Sequence, residues 1–188
     1  MTAPSPTNCG PIVTDDGLHL FTQAWTPANM PRAAVGLVHG YAEPSGRYAH
    51  VAEAFVERGA AVYAYDQRGY GRSEGTSAYV DAFDRYLDDL DRFLEHVSTR
   101  QPDLPLFLFG HSMGGLVVLK HTLERAPSLQ GLLLSAPAIE INPDLAPLLR
   151  RLARVLGRLF PTLPTTRAPE DAISRDPEVV EEAQNDPL

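Results

Sequence analysis

One decapeptide constrains this chain more than any other stretch: Leu106-Phe107-Leu108-Phe109-Gly110-His111-Ser112-Met113-Gly114-Gly115. An apolar run of strand length ends at Gly110, and residues 115–126 can be helical until Pro127 stops them. The pentapeptide between the two fits G-x-S-x-G. In that motif the flanking glycines give a strand room to turn sharply into a helix, leaving the serine hydroxyl exposed at the apex. Strand, turn and helix are the context the motif requires. Ser112 therefore reads as a nucleophile on an elbow built by Gly110 and Gly114, against the plainer alternative of a tight structural turn.

Such an elbow stands on a parallel sheet. Residues 34–38, 61–65 and 132–134 are short apolar runs of the kind found in strands covered on both faces. After Asp81, the side chains of Phe83, Tyr86, Leu87, Leu90, Phe93, Leu94 and Val97 fall on one helical stripe. Strands alternating with helices predict βαβ units and an α/β fold with a mostly parallel sheet. Upstream, Ile12-Val13, then Thr14-Asp15-Asp16-Gly17, then the partly alternating residues 18–25 predict an antiparallel N-terminal hairpin whose Asp-Gly supplies positive φ.

Two loops face the same end of this sheet. His39-Gly40-Tyr41 follows the strand ending at Val38, at the carboxyl edge where α/β sheets bind ligands. Acyl-transfer chemistry needs two N–H groups aimed at the oxygen that becomes negative, one just after the nucleophile and one from an earlier loop. Met113 and Tyr41 are the candidate oxyanion-hole donors, and the alternative for residues 39–41 is an ordinary strand-to-helix connection. Asp66-Gln67-Arg68-Gly69-Tyr70-Gly71-Arg72-Ser73 resembles a dinucleotide-binding loop at first sight. Glu74 occupies the third glycine position and no helix starts there, so the fingerprint fails and the loop reads as a brace for the site.

Composition excludes several classes. With 188 residues, 44% of them hydrophobic, the chain can bury one sizeable core. A formal net charge of −8 argues against nucleic acid as a partner, because phosphate binding needs a basic face. The single cysteine, Cys9, allows no internal disulfide, and without a Cys/His cluster no metal site and no cofactor is expected. The N-terminal MTAPSPTNCG has neither a basic nor an apolar signal region, and no apolar run approaches membrane-spanning length, so the expectation is a soluble, cytoplasmic protein.

From Asn142 the pattern changes, with Pro143, Pro147, Pro161, Pro164, Pro169, Pro177 and Pro187 punctuating a segment that has no strand candidate. Within it Leu145, Leu148, Leu149, Leu152, Val155, Leu156, Leu159 and Phe160 form an apolar face opposed by Arg150, Arg151, Arg154 and Arg158. Two readings stay open: a cationic amphipathic helix in transient contact with a membrane surface, or a lid helix with one solvated face.

Taken in order and spacing, HGYAEPSGRY (39–48), DQRGYGRSEG (66–75) and GHSMGG (110–115) resemble the α/β-hydrolases of the monoacylglycerol lipase and lysophospholipase group. The resemblance runs from about Val13 to the last residue and extends to SRDPEVVEEAQNDPL, similar to that group's cap. It implies an α/β-hydrolase fold with residues 1–137 as the N-terminal part of the core and 138–188 as the first part of a helical cap. It also implies a serine esterase acting on a lipid-like ester, with Ser112 as nucleophile and the Tyr41 and Met113 amides as oxyanion hole. Where the family commonly shows H-G-x-G-E-H, Ala42 and Pro44 stand in place of glycine and histidine, predicting a stiffer loop. The same machinery would serve a peptidase or lactonase, and a chain that kept the pocket without the triad would be a binding protein.

The expected order in this fold is Ser, then Asp or Glu, then a late His. Of the six histidines none follows His121, and His121 lies nine residues past Ser112 on the same helix, roughly 13 Å along its axis. That is far from the ~3 Å a general base needs. His111 adjoins the nucleophile, His39 belongs to the oxyanion loop, and His19, His50 and His96 sit on other elements. The strand at 132–134 also has no later stretch able to pair with its free side. The expectation is a chain that forms the front part of a larger catalytic unit, with its C-terminal part missing. The acid and histidine would then lie on residues lost by truncation or carried by a second chain.

Overall fold

The computed structural model describes residues 5–139 and Glu181, which is helical and exposed. The chain divides into two units, Met1–Ile141 and Asn142–Leu188; the amphipathic face of 145–160 lies outside the described residues. In the first unit the elements run β1 (Thr7–Asn8), β2 (Ile12–Val13), β3 (His19–Leu20), β4 (Thr22–Trp25) and β5 (Ala33–Val38), then a 3-10 turn (Ser45–Tyr48) and α1 (Ala49–Val56). They continue with β6 (Ala60–Tyr65), α2 (Asp84–Arg100), β7 (Leu106–His111), α3 (Ser112–Arg125) and β8 (Gly131–Ser135).

Six strands form one sheet in the order β1-β4-β6-β5-β7-β8, while β2 and β3 pair separately. The four apolar runs are its parallel part, with β5 central: Val35 pairs with Val62 of β6 and with Phe107 of β7. Side chains alternate across the sheet as strand geometry dictates. On one face Ala34, Val38, Ala61, Tyr63, Tyr65 and Leu108 pack under α2 and α3 through Leu87, Leu90, Phe93, Val97, Val117 and Val118. On the other, Val35, Leu37, Val62 and Ala64 meet Trp25 and the Tyr48, Ala52 and Val56 side chains beside and along α1. Gly36 lets α2 come this close, since a Cβ there would sit 3.0 Å from the Phe93 ring.

Two expectations shift. Residues 18–25 do not form one hairpin arm: His19–Leu20 pairs with Ile12–Val13, and Thr22–Trp25 joins the main sheet antiparallel to β6. Phe21 marks the break, its N–H donating to Ser73 Oγ at 2.9 Å rather than to a ladder. The turn at 14–17 does use positive φ, at Gly17 (+85°). Strand β8 is less enclosed than its uniform apolarity suggests, with Leu134 exposed, and among the described residues no strand pairs with its outer side.

The acidic residue hidden in the apolar stripe of α2 is Asp89, completely buried and matched by the Arg68 guanidinium, whose Nε and Nη2 each lie 2.7 Å from a carboxylate oxygen. Arg68 also donates to Asp16 at 2.9 Å, tying the hairpin turn to the loop after β6 and to α2. The Arg68 hydrogen bonds hold the Asp16 carboxyl well below the usual carboxylate range, whereas burial pushes Asp89 up against the pull of Arg68.

Removing one partner of a buried pair leaves an uncompensated charge and typically costs about 3–5 kcal/mol, whereas replacing both by apolar groups is much milder. Asp89→Ala is therefore expected to lower unfolding free energy in urea by about 3 kcal/mol, and the Arg68→Met/Asp89→Ala pair by less; equal losses would refute the buried-charge account. His96 gives a pH signature. Burial, helped by Arg100, lowers its pKa from 6.5 to about 4. Between those values the unfolded chain binds more protons, so stability should fall as pH drops from 6.5 to 4. His96→Leu should flatten that slope in urea titrations at several pH values.

Candidate active site

The elbow between β7 and α3 is built as the motif requires. Ser112 opens α3 with φ +50°, a left-handed conformation that costs a non-glycine residue roughly 1–2 kcal/mol. Its neighbours permit it. A Cβ on Gly110 would lie 2.5 Å from Val118 Cγ2 and 2.6 Å from the Gly114 carbonyl oxygen, and one on Gly114 would overlap the carbonyl oxygens of His39 and Val38. The first turn of α3 is thus seated directly on the end of β5. Gly115 is equally constrained, because a Cβ there would stand 2.9 Å from Pro137. Ala138 N–H donates to the Ser112 carbonyl at 2.9 Å, so the turn after β8, with Ala136 at φ +40°, pins the elbow from outside.

The loop after β5 comes to the same point. A Cβ on Gly40 would be 3.3 Å from Ser112 Cβ, placing residues 39–41 beside the nucleophile candidate. The Met113 N–H lies in the first turn of α3, where no intrahelical acceptor exists. Tyr41 N–H has no acceptor among the described residues. The Tyr41 ring is half-exposed and meets Tyr70 edge-on at 5.8 Å, and Ala42 takes φ +57°.

Several residues that hold this loop lie inside the quoted motifs without standing out there, because the partner each takes is set by the folded loop. Glu43 Oε1 accepts from Gly40 N–H at 2.8 Å and from the Tyr48 hydroxyl at 2.6 Å. Burial, reinforced by Glu43, pushes the Tyr48 hydroxyl's pKa up. The Asp66 carboxylate accepts from Ser45 N–H (2.7 Å), the Ser45 hydroxyl (2.6 Å) and Arg72 N–H (2.9 Å). The 66–73 loop does brace the site, through Gln67 as well: its backbone N–H donates to His39 Nε2 at 2.8 Å and its side-chain amide to the His39 carbonyl at 2.7 Å.

None of the six histidines is hydrogen-bonded to Ser112 Oγ. His39 is fully buried, with Nδ1 2.7 Å from the Gly40 carbonyl oxygen and Nε2 taken by Gln67. Desolvation lowers its pKa against the opposing influence of that carbonyl, Asp66 and Glu43. His111 Nδ1 lies 3.0 Å from Ser135 Oγ, and His121 Nε2 lies 2.6 Å from Asp91. His19 pairs with Glu74 on the surface, His50 is exposed, and His96 lies on α2. Among the described residues no three His, Cys, Asp or Glu side chains form a metal-binding group, and no helix is long and apolar enough to cross a membrane.

A mostly parallel sheet with helices on both faces, and a serine in a left-handed turn at the end of a central strand, define an α/β-hydrolase fold. Comparison with known proteins agrees and goes one step further: residues 29–188 match the family described as serine aminopeptidase, S33, and the chain belongs to it. It is 38% identical over 172 residues to a monoacylglycerol lipase of Mycolicibacterium smegmatis, a match covering 92% of this chain and 61% of the relative. It is 35% identical over 181 residues to the monoglyceride lipase of Homo sapiens, covering 94% and 59%. Among solved structures, the monoacylglycerol lipase of Paleococcus ferrophilus superposes with a TM-score of 0.75 at 32% identity, over 90% of this chain and 63% of that one. The chain thus spans about three fifths of the length of these relatives.

Because Gly114 touches backbone rather than flexible side-chain ends, Gly114→Ala has no small adjustment open to it. Overpacking of this kind costs about 1–3 kcal/mol or more. The variant should lower the urea midpoint by a corresponding amount, while alanine at the solvent-facing Gly10 or Gly17, where a Cβ meets nothing, should cost only its left-handed strain. An unchanged midpoint for Gly114→Ala would contradict the seating of α3 on β5.

Proposed function

We propose that this chain supplies the nucleophile and oxyanion hole of a serine hydrolase that cleaves carboxylic esters of lipid-like acids, monoacylglycerols or lysophospholipid-like molecules above all. The observation that carries this reading is the strained φ of Ser112 at a glycine-flanked elbow lying against Gly40. The relatives named as monoacylglycerol lipases support the substrate class. In the reaction Ser112 Oγ attacks the ester carbonyl carbon and passes its proton to a histidine. The carbonyl oxygen, now negative, is met by the Tyr41 and Met113 N–H groups. Collapse of the tetrahedral intermediate expels the alcohol, which takes that proton. Water then cleaves the acyl-enzyme by the same sequence and returns the proton to Ser112. No cofactor takes part.

That His19, His39, His111 and His121 are bonded to groups other than Ser112, with His50 exposed and His96 on α2, supports placing the base on residues other than these 188, in the rest of a longer chain or on a second polypeptide, and the acid is proposed to lie there with it. In the same reading residues 1–137 belong to the hydrolase core and 138–188 to a cap. The apolar face of 145–160 would be turned to the acyl chain or to a membrane surface, and the site of action would be cytoplasmic.

In the full-length enzyme Ser112→Ala should reduce turnover of a monoacylglycerol at least about a hundredfold, and a smaller loss would overturn the nucleophile assignment. Profiling monoacylglycerols, p-nitrophenyl esters and aminoacyl amides separates an esterase from a peptidase, since only the latter turns over the amides. Robust esterase activity from residues 1–188 alone would refute the need for a histidine from elsewhere.

A further inference from the structure

We infer that His39 is a positioning residue for the oxyanion hole, acting through the peptide that joins Gly40 to Tyr41. The inference rests on the proposed role of the Tyr41 amide. The carbonyl oxygen of Gly40 and the N–H of Tyr41 belong to the same planar trans peptide and point in opposite directions. His39 Nδ1 lies 2.7 Å from that carbonyl oxygen, with the ring fully buried beneath the loop. Holding the oxygen against the imidazole turns the Tyr41 N–H to the other side of the peptide, away from the interior. A hydrogen bond accepted by the carbonyl also polarises the unit and strengthens its N–H as a donor.

The imidazole is itself fixed in the one form that can do this. Gln67 N–H donates to Nε2 at 2.8 Å, so Nε2 is the acceptor and the proton sits on Nδ1. Gln67 Nε2 donates to the His39 carbonyl at 2.7 Å, and Tyr70 packs edge-on to the ring at 5.9 Å. The Asp66 carboxylate anchors the start of the Gln67 loop to Ser45 and Arg72, so the brace runs from β6 to the imidazole and on to the Tyr41 N–H. From the other side Glu43 and Tyr48 hold the preceding N–H, that of Gly40, at 2.8 and 3.3 Å. With both of its neighbouring peptide units gripped, Gly40 has no freedom to rotate the Tyr41 N–H.

Two side chains of different reach test this. The Asn amide nitrogen can stand where Nδ1 stands and still donate to the Gly40 carbonyl, whereas Gln reaches towards the Nε2 position and its partner Gln67 N–H instead. In the full-length enzyme His39→Gln should lower kcat for an aryl ester about tenfold or more, with KM within about threefold. His39→Asn should recover most of that loss. Independently of activity, nitrogen NMR of the wild-type imidazole should show a protonated Nδ1 and an unprotonated Nε2 at neutral pH. An Nε2–H tautomer overturns the proposal, as does a His39→Gln enzyme as fast as wild type or losses in both variants that simply follow their urea midpoints. Ser112→Ala is measured alongside. If it keeps its turnover, the acyl-enzyme reading fails whatever His39 does. If it is inactive while His39→Gln is unimpaired, the positioning role alone fails.

Discussion

The contact between Gly114 and the carbonyl oxygens of Val38 and His39 is the constraint on which the rest of the site depends. It lets the first turn of α3 sit on the end of β5 instead of beside it, which is what brings the β7 elbow and the β5 loop to one place. No residue with a side chain could make that approach. The strain at Ser112 is sustained because the surroundings leave it no relaxed alternative. Gly110 is held by Val118, Gly115 by Pro137, and the Ser112 carbonyl by Ala138.

A second layer, made of charge, stabilises the first. Asp66 and Arg68 lie two residues apart at the exit of β6 yet serve different ends of the structure. Asp66 gathers Ser45 and Arg72 around the loop that reaches His39, while Arg68 binds Asp89 within α2 and Asp16 in the hairpin turn. The loop that first suggests dinucleotide binding is in this way a junction box for three distant segments. Its glycines fit that role. A Cβ on Gly71 would overlap the Asp66 carboxylate, and Gly69 and Gly71 both take positive φ.

Those features of the fold that are repeated locally were legible in the sequence. The β5, β6, β7 and β8 runs, the α2 stripe and the glycine-flanked serine each announce themselves within a short stretch of chain, because periodicity and turn chemistry are local properties. The division of residues 18–25 between two sheets was not legible, since it depends on Ser73 capturing the Phe21 N–H from fifty-two residues away. Nor was the buried Asp89, which the helical pattern treats as one more polar position, or the Glu43–Tyr48 clamp on Gly40. The first two are meetings of distant segments whose side chains say nothing of one another in isolation, and the clamp is a geometry that appears only once the 40–48 loop is folded. The absence of a histidine after His121 could be read from the sequence at once, and the structure adds that His19, His39, His111 and His121 are engaged with groups other than Ser112.

Ala42 carries a consequence of its own. Its φ of +57° would suit glycine better, so the folded loop bears strain that a glycine would relieve. The same methyl group, with Pro44 two residues on, removes many backbone conformations that a glycine-rich loop would sample in the unfolded chain. A segment with so few alternatives has less disorder to surrender on folding, which offsets part of the strain at Ala42.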